Sequence, residues 1–572
     1  MRHWSATASF TLLTLTCNAA LAQTASQITK PSYEPSLQRM TGSLVFSGAP
    51  GLAAPAGAEK LSVQLSGVTV EGALAGTQAA TDTLRQRLTG KRIPVSEIFA
   101  AASDLEASYV KQGYVLSRVV IPQQTLEDGG TLRLTVVDGY VEQVDASAAP
   151  PELRARLERT TDPLVDQRSL RLPDIERRLL LAGDMFGVAL GSALSTGSKP
   201  GGTVVILEPQ FRSVTGFVGL DNTFSEELGR WNLSAGVEFN DFLNMGEVFY
   251  LRASGHPALG DDGYFADEPR LRTLAGGAIF PLGYNGLTFG VEGANSRTGP
   301  DNNAVATPSD FNRVSFRLFY PVVRTIKRNL SVTAALDVQS DKQDLNTDFA
   351  DFPIYEDRTR VFRLSSDGNW QLSDTAAISG GAILSLGIDG LGARSAQDAE
   401  DSDTPLSRAG ADADFTKLEV SFRYDRSFLQ DWAFSLSGQA QTSFGKPLLS
   451  SEQFGIASSE GVSAFDLGSI TGDSGWLLRS EVARNFPIQA FGRPLQVSPY
   501  LAVAAGSVRL EQPSSLEAAR INANTLGIGV DLRMIYDPNY SSAVVRLEYG
   551  KGNRDDDQKD EDRFTIVSSY RF

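Results

Sequence analysis

The chain has 572 residues, a formal net charge of −16, one cysteine and two histidines. So acidic a chain is a poor ligand for nucleic acid. Cys17 and His3 fall in an N-terminal segment read below as a removable signal, which leaves His256 and no thiol. No disulfide framework or cysteine nucleophile is then available, and a histidine triad or histidine metal site is disfavoured. Neither a cofactor nor a metal is expected, and no catalytic residue stands out.

Residues 1–22, MRHWSATASFTLLTLTCNAALA, read as a signal peptide. Arg2 and His3 give a basic start, a short apolar run follows, and Ala20-Leu21-Ala22 is a small-x-small cleavage site. A lipoprotein reading through Cys17 is weaker, because Thr16 precedes it where a small residue belongs. Residues 23–58 are rich in Ala, Gly, Pro and Ser and read as a periplasmic linker with a short helix around Ser36–Met40. A plug in this segment is the alternative, and the linker is favoured.

From Leu61 the pattern is α/β. LSVQLSGVTVEG reads as a strand, ATDTLRQRL and VSEIFAAASDLEASYVKQG as helices, and YVLSRVVIPQ and GTLRLTVVDGYVEQV as strands. Ile98, Ala102, Leu105 and Tyr109 share one face of the second helix, and Gly113 ends it. The first module is assigned to 59–144. A second module, 145–209, repeats the order, with YVEQVDAS as a candidate shared first strand. PPELRARLERT and LPDIERRLLLAGD are its helices, and FGVALGSALS and GTVVILEP its closing strands.

Beyond Pro209 the period falls to two. Leu418, Val420, Phe422 and Tyr424 alternate with Lys417, Glu419, Ser421 and Arg423, and Val314, Phe316, Leu318 and Tyr320 alternate in the same way. About sixteen such segments over 210–572 fit an all-β antiparallel transmembrane barrel, with an apolar band towards lipid and a polar lumen. A soluble β-solenoid or multi-sandwich is the alternative. The last strand, FTIVSSYRF, sets Phe564, Ile566, Tyr570 and Phe572 on one face. Acidic stretches at 397–403 and 555–562 read as solvated outer loops.

Two α+β modules before such a barrel resemble the POTRA–barrel superfamily of the outer membrane. The ordered motifs narrow the resemblance to two-partner secretion transporters, the haemolysin secretion/activation family. YVKQGYVLSRVVIPQQTLEDGGTLRLTVVDGYVEQV (109–144) resembles its first POTRA module, and DPLVDQRSLRLPDIERRLLLAGDMFGVAL its second. DNTFSEELGRWNLSAGVEFND resembles the first barrel hairpin, and LLSSEQF (448–454) the lead-in to the sixth outer loop.

The resemblance implies an outer-membrane transporter, not an enzyme. It would capture one large secreted β-helical partner, still extended, on its POTRA modules and pass it through the barrel without ATP. Tyr570 and Phe572 would be the signal read by the barrel-assembly machinery, and lipid and lipopolysaccharide would surround the barrel. An exposed sheet edge can pair with an extended peptide. Tyr109, Tyr114, Val115, Ser117, Arg118 and Val119 are the candidates for that groove, with Tyr109 and Val119 equally readable as core. A barrel-assembly insertase and a passive porin are the rival functions.

One connection is unusual. EGVSAFDLG (460–468) is apolar although it lies in a loop, 446–474, where chain normally faces water. The family's sixth loop turns into the lumen. Its tip reads Val-Arg-Gly-Tyr/Phe, and the arginine pairs with an aspartate in a Phe-x-Asp-x-Gly wall pattern. Here the tip aligns as Val462, Ser463, Ala464 and Phe465, and the wall as Ala502, Ala504 and Gly506. Both charges of the pair are missing. The loop then either docks by van der Waals contact, which is favoured, or is released more readily.

Overall fold

The computed structural model describes residues 23–33, the backbone of 45–46, and 53–572 apart from 259, 261, 302–305, 347–350, 491, 516, 557 and 559. The signal segment and the expected helix around residues 36–40 lie outside the described residues.

The first module runs strand Gly67–Glu71, helices Gln78–Leu88 and Val95–Lys111, then strands Arg118–Val120 and Thr131–Val137. Thr131–Val137 is central, parallel to Gly67–Glu71 and antiparallel to Arg118–Val120. Ile98, Ala102, Leu105 and Tyr109 recur at helical spacing and are all buried against this sheet.

The second module is built from strand Tyr140–Asp145, helices Pro151–Thr161 and Leu172–Gly183, and strands Val188–Thr196 and Gly202–Phe211. Its sheet corrects the boundary set at residue 144. Tyr140–Asp145 pairs with Gly202–Phe211 and has no partner in the first sheet. The chain breaks step at Gly139, where a Cβ would stand 1.9 Å from the Leu116 carbonyl oxygen. Only glycine passes there, so the two modules separate just before Tyr140.

The linker expected over 23–58 also needs correction. Residues 23–33 lie inside the barrel, and Val45–Phe46 adds a parallel strand to the free edge of the second module's sheet, against Ala193 and Leu194. A polar lumen accepts a polar segment, so this packing leaves no apolar period in the sequence.

Sixteen antiparallel strands then close into a barrel. The first, Val214–Asp221, pairs with the last, Glu561–Arg571, and Gly216 and Phe572 exchange backbone hydrogen bonds of 3.0 Å beside that seam. Alternation sorts the two faces. Val314, Phe316, Leu318 and Tyr320 are 39–46 % exposed on the outer wall, whereas Arg313, Ser315 and Arg317 are at most 9 % exposed. That is the pattern of a lipid-facing band around a polar interior.

The second module is clamped to the rim by arginines. Arg156 donates to the carbonyls of Met245 and Gly283 at 3.0 and 2.8 Å, and Arg178 to Asn285 at 2.8 Å. In return Arg324, at the foot of a barrel strand, forks onto Asp184 at 2.8 and 2.6 Å. A fork of this kind fixes orientation as well as distance.

Candidate functional site

The sixth outer loop leaves strand Trp432–Thr442 and returns as Ser474–Arg484, and both of its arms are anchored. On the way in, Glu452 is fully buried between Arg363 at 2.6 Å and Lys417 at 3.0 Å. Burial alone would raise its carboxyl pKa. The charges of Arg363 and Lys417 and their hydrogen bonds overrule that and hold it at about 2. On the way out, buried Asp473 accepts from the backbone N–H groups of Leu448 and Glu511 at 2.9 and 2.6 Å. Between these anchors, Phe454–Gly455 pairs with Thr471–Gly472 as a short ribbon. The loop is a hairpin turned inward.

Its tip is enclosed. Val462, Ser463, Ala464 and Phe465 are each at most 3 % exposed. Val462, Ala464 and Phe465 share an apolar cluster with Ile456, Ala504 and Val508. Full burial of a Val or Phe side chain stabilises by roughly 1.5–3 kcal/mol, which is enough to hold a tip whose residues 462–465 carry no charge. The opposing wall is flattened to admit it. A Cβ at Gly552 would meet the Ala464 Cβ and the Phe465 ring at 2.7 Å, and one at Gly506 would meet the loop's Ile456 side chain at 3.1 Å. The alanine at 504 faces the tip, and Ala502, on the same strand, is equally buried.

The structure also supplies charges that the sequence did not single out. Arg479 donates to Glu548 at 2.5 Å, to Glu481 at 2.7 Å and to the Gly461 carbonyl at 3.1 Å. Tyr500 donates to the same Glu548 at 2.7 Å. The Ser463 hydroxyl donates to Glu548 and accepts from Arg479 at 3.2 Å. Arg479 and Glu548 sit at ordinary lumenal positions of two strands. Nothing local in the sequence marks them as a pair.

Residues 23–33 descend through the lumen beside this loop. Gln23 donates to the Leu467 carbonyl on the loop's returning arm. Ala25 donates to Ser309 at 3.2 Å, and Thr29 to Ser296 at 2.7 Å. Tyr33 is held most firmly. Its N–H donates to Glu292 and its hydroxyl to Glu238, both at 3.1 Å, while Arg317 donates to its carbonyl at 2.7 Å. The Arg252 guanidinium lies 3.6 Å from its ring centre.

In the first module the expected groove residues separate. Tyr109, Tyr114 and Val119 belong to that module's core, and Val115 to the core of the second. Ser117 is buried, and Arg118 alone of the set keeps a side chain 40 % exposed. Apart from that of Arg118, these side chains are packed, and what the edge presents is chiefly backbone. Among the described residues, Arg118–Val120 pairs with a strand on one side only. The outward N–H of Val119 donates to Glu106 at 2.9 Å.

Tyr570 and Phe572 lie on the outer wall, 42 % and 41 % exposed, with their rings stacked at 6.1 Å.

The family model for haemolysin secretion/activation proteins (ShlB/FhaC/HecB) matches residues 201–534, and that for ShlB-type POTRA domains matches 63–139. The outer membrane transporter CdiB of Escherichia coli is 26 % identical over 435 residues, 75 % of this chain and 70 % of that protein. The heme/hemopexin transporter protein HuxB of Haemophilus influenzae is 22 % identical over 423 residues, 72 % of this chain and 70 % of that one. The hemolysin transporter protein ShlB of Serratia marcescens is 21 % identical over 500 residues, 85 % and 82 %. Among solved structures, CdiB from Escherichia coli shares the fold with a TM-score of 0.69 at 20 % identity, covering 93 % of this chain and 94 % of that one.

Proposed function

The chain belongs to the haemolysin secretion/activation family and is an outer-membrane transporter of a secreted partner protein, and from that premise we propose how it handles the partner. The first module captures one large β-helical substrate while it is extended, and the barrel passes it to the surface without ATP. POTRA modules of this family sit in the periplasm, so capture precedes passage.

One observation carries this reading. The second module's sheet edge beside Ala193 and Leu194 is filled by Val45–Phe46 and its helices are clamped to the rim, whereas among the described residues the first module's strand Arg118–Val120 has a strand partner on one side only. An extended segment adds to such an edge through main-chain hydrogen bonds, which suits a partner recognised before it folds. Passage then requires the plug at 23–33 and the loop tip at 462–465 to vacate the lumen. At the membrane, lipid and lipopolysaccharide contact the outer apolar band, and the barrel-assembly machinery reads the outward face of Tyr570 and Phe572.

Deleting this protein and assaying a co-encoded large exoprotein outside the cell tests the reading. Loss of that one protein from the surface is the expected result. Unchanged export overturns it, and a broad loss of many outer-membrane barrels points to an insertase instead.

A further inference from the structure

Three wall side chains and one loop side chain converge at the tip of the sixth loop. Arg479 lies on the strand Ser474–Arg484, Tyr500 on Arg493–Arg509 and Glu548 on Ser541–Arg554. All are fixed by ladder hydrogen bonds to their neighbours. The loop contributes Ser463, whose hydroxyl lies between the carboxylate and the guanidinium, and the Gly461 carbonyl, 3.1 Å from the same guanidinium. Arg479 stands opposite Ala504 in strand register, at the place where a wall aspartate is missing.

We propose that Arg479 and Glu548 form a charged catch built wholly into the barrel wall, and that Ser463 closes it with a neutral hydroxyl, so that residue 463 leaves without separating that ion pair. Both charges lie on strands, 2.5 Å apart, and neither is carried by the loop. A guanidinium carried by the loop would have to be pulled from its carboxylate inside a confined, poorly hydrated lumen. That separation leaves a buried charge unpaired and is strongly unfavourable. With these charges transposed to the wall, release costs three hydrogen bonds to charged groups, two at Ser463 and one at the Gly461 carbonyl, the apolar contacts of Val462 and Phe465 and, beside them, the pair of Asp466 with Arg563. The site has room for this arrangement and little more. A Cβ at Gly550 would lie 3.4 Å from the Ser463 Oγ, and one at Gly552 would collide with Ala464.

This inference rests on the reading of the loop as a gate that vacates the lumen, and its test reads the loop separately from export. The only cysteine is Cys17, in the signal segment. A Val462→Cys reporter on intact cells, challenged with a membrane-impermeant maleimide, therefore reports undocking at a residue that is fully buried when docked. Within that background, Ser463→Ala should be labelled about tenfold faster than the parent, the effect of losing a hydrogen bond to a charged group. Arg479→Ser should be faster still, because Glu548 loses its partner. The exchange Ser463→Arg with Arg479→Ser returns a guanidinium to Glu548 from the loop side, and should bring labelling back to within about threefold of the parent.

Labelling of Ser463→Ala at the parent's rate overturns the catch. So does an exchange that is labelled as fast as Arg479→Ser, or that fails to migrate as a folded barrel in unheated gels. Partner export is followed in the same strains. A failed catch with export still dependent on this protein leaves the transporter standing, whereas export independent of the protein removes the reading on which the catch rests.

Discussion

Arg479 faces Ala504 across the ladder between strands Ser474–Arg484 and Arg493–Arg509, so a lumenal cation lies next to the position where an anion is absent. This geometry predicts how restored charges behave. Ser463→Arg sets a second guanidinium against Arg479 where Glu548 is already engaged, and should destabilise the barrel by about 3–5 kcal/mol. Adding Ala504→Asp gives the crowded cations a second carboxylate and should recover at least about 1 kcal/mol of that loss. Thermal unfolding of the four proteins in detergent measures the coupling. A double variant no better than the worse single one shows that residues 463 and 504 do not share a site.

Glu452 anchors the loop's incoming arm, and its removal should loosen the loop without touching the tip. Glu452→Ala leaves Lys417 with Glu419 and Arg363 with Asp337 as their remaining carboxylates, at a cost of about 1.5–3 kcal/mol, the usual loss of a hydrogen bond to a charged group. Its pH dependence has a definite sign. The folded-state pKa is depressed from the ordinary 4.5 to about 2, so the stabilisation is complete above about pH 4.5 and is lost as pH falls through 2. Accessibility of a Val462→Cys reporter should therefore be unchanged between pH 7 and pH 5. A rise in that interval would show that some other group controls the loop.

The parts of this molecule that were legible in its sequence are those in which one period dominates. The barrel wall alternates strictly, because one face meets lipid and the other a polar lumen, and Val314 to Tyr320 show it residue by residue. The loop tip was legible because Val462 and Phe465 are apolar where a loop should be polar. The catch was not, because Arg479 and Glu548 each obey the alternation perfectly. They are 69 residues apart, and only closure of the barrel brings them together. The plug was only the less favoured alternative for a related reason: a segment buried in a polar lumen needs hydrogen-bonding groups, not an apolar stripe, and so reads as linker.

That plug makes its own prediction. Tyr33 gathers Glu238, Glu292, Arg252 and Arg317 around one residue. Tyr33→Ala removes the hydroxyl and the ring while keeping the backbone bonds to Glu292 and Arg317. It should raise the open probability of the channel several-fold in planar bilayers, and deletion of residues 24–33 should give a permanently conducting pore. Conductance indistinguishable from the parent in the deletion would mean that the sixth loop alone seals the lumen.

The last prediction concerns the capture edge. Glu106 is 7 % exposed and accepts the outward N–H of Val119, so the residue that satisfies this edge also occupies it. A partner strand pairing at Arg118–Val120 must displace that carboxylate. Glu106→Ala should therefore act in opposite directions on two measurements. Stability of the first module should fall by about 1.5–3 kcal/mol, the usual loss of a hydrogen bond to a charged group. Affinity for the partner's N-terminal secretion segment should rise by about three- to tenfold, because the Val119 N–H then meets its acceptor only on binding. Calorimetric titration of the full-length protein in detergent with that segment reads the affinity, and thermal unfolding reads the stability. A fall in both would place Glu106 among the residues that shape the edge, and would move the site of pairing away from Val119.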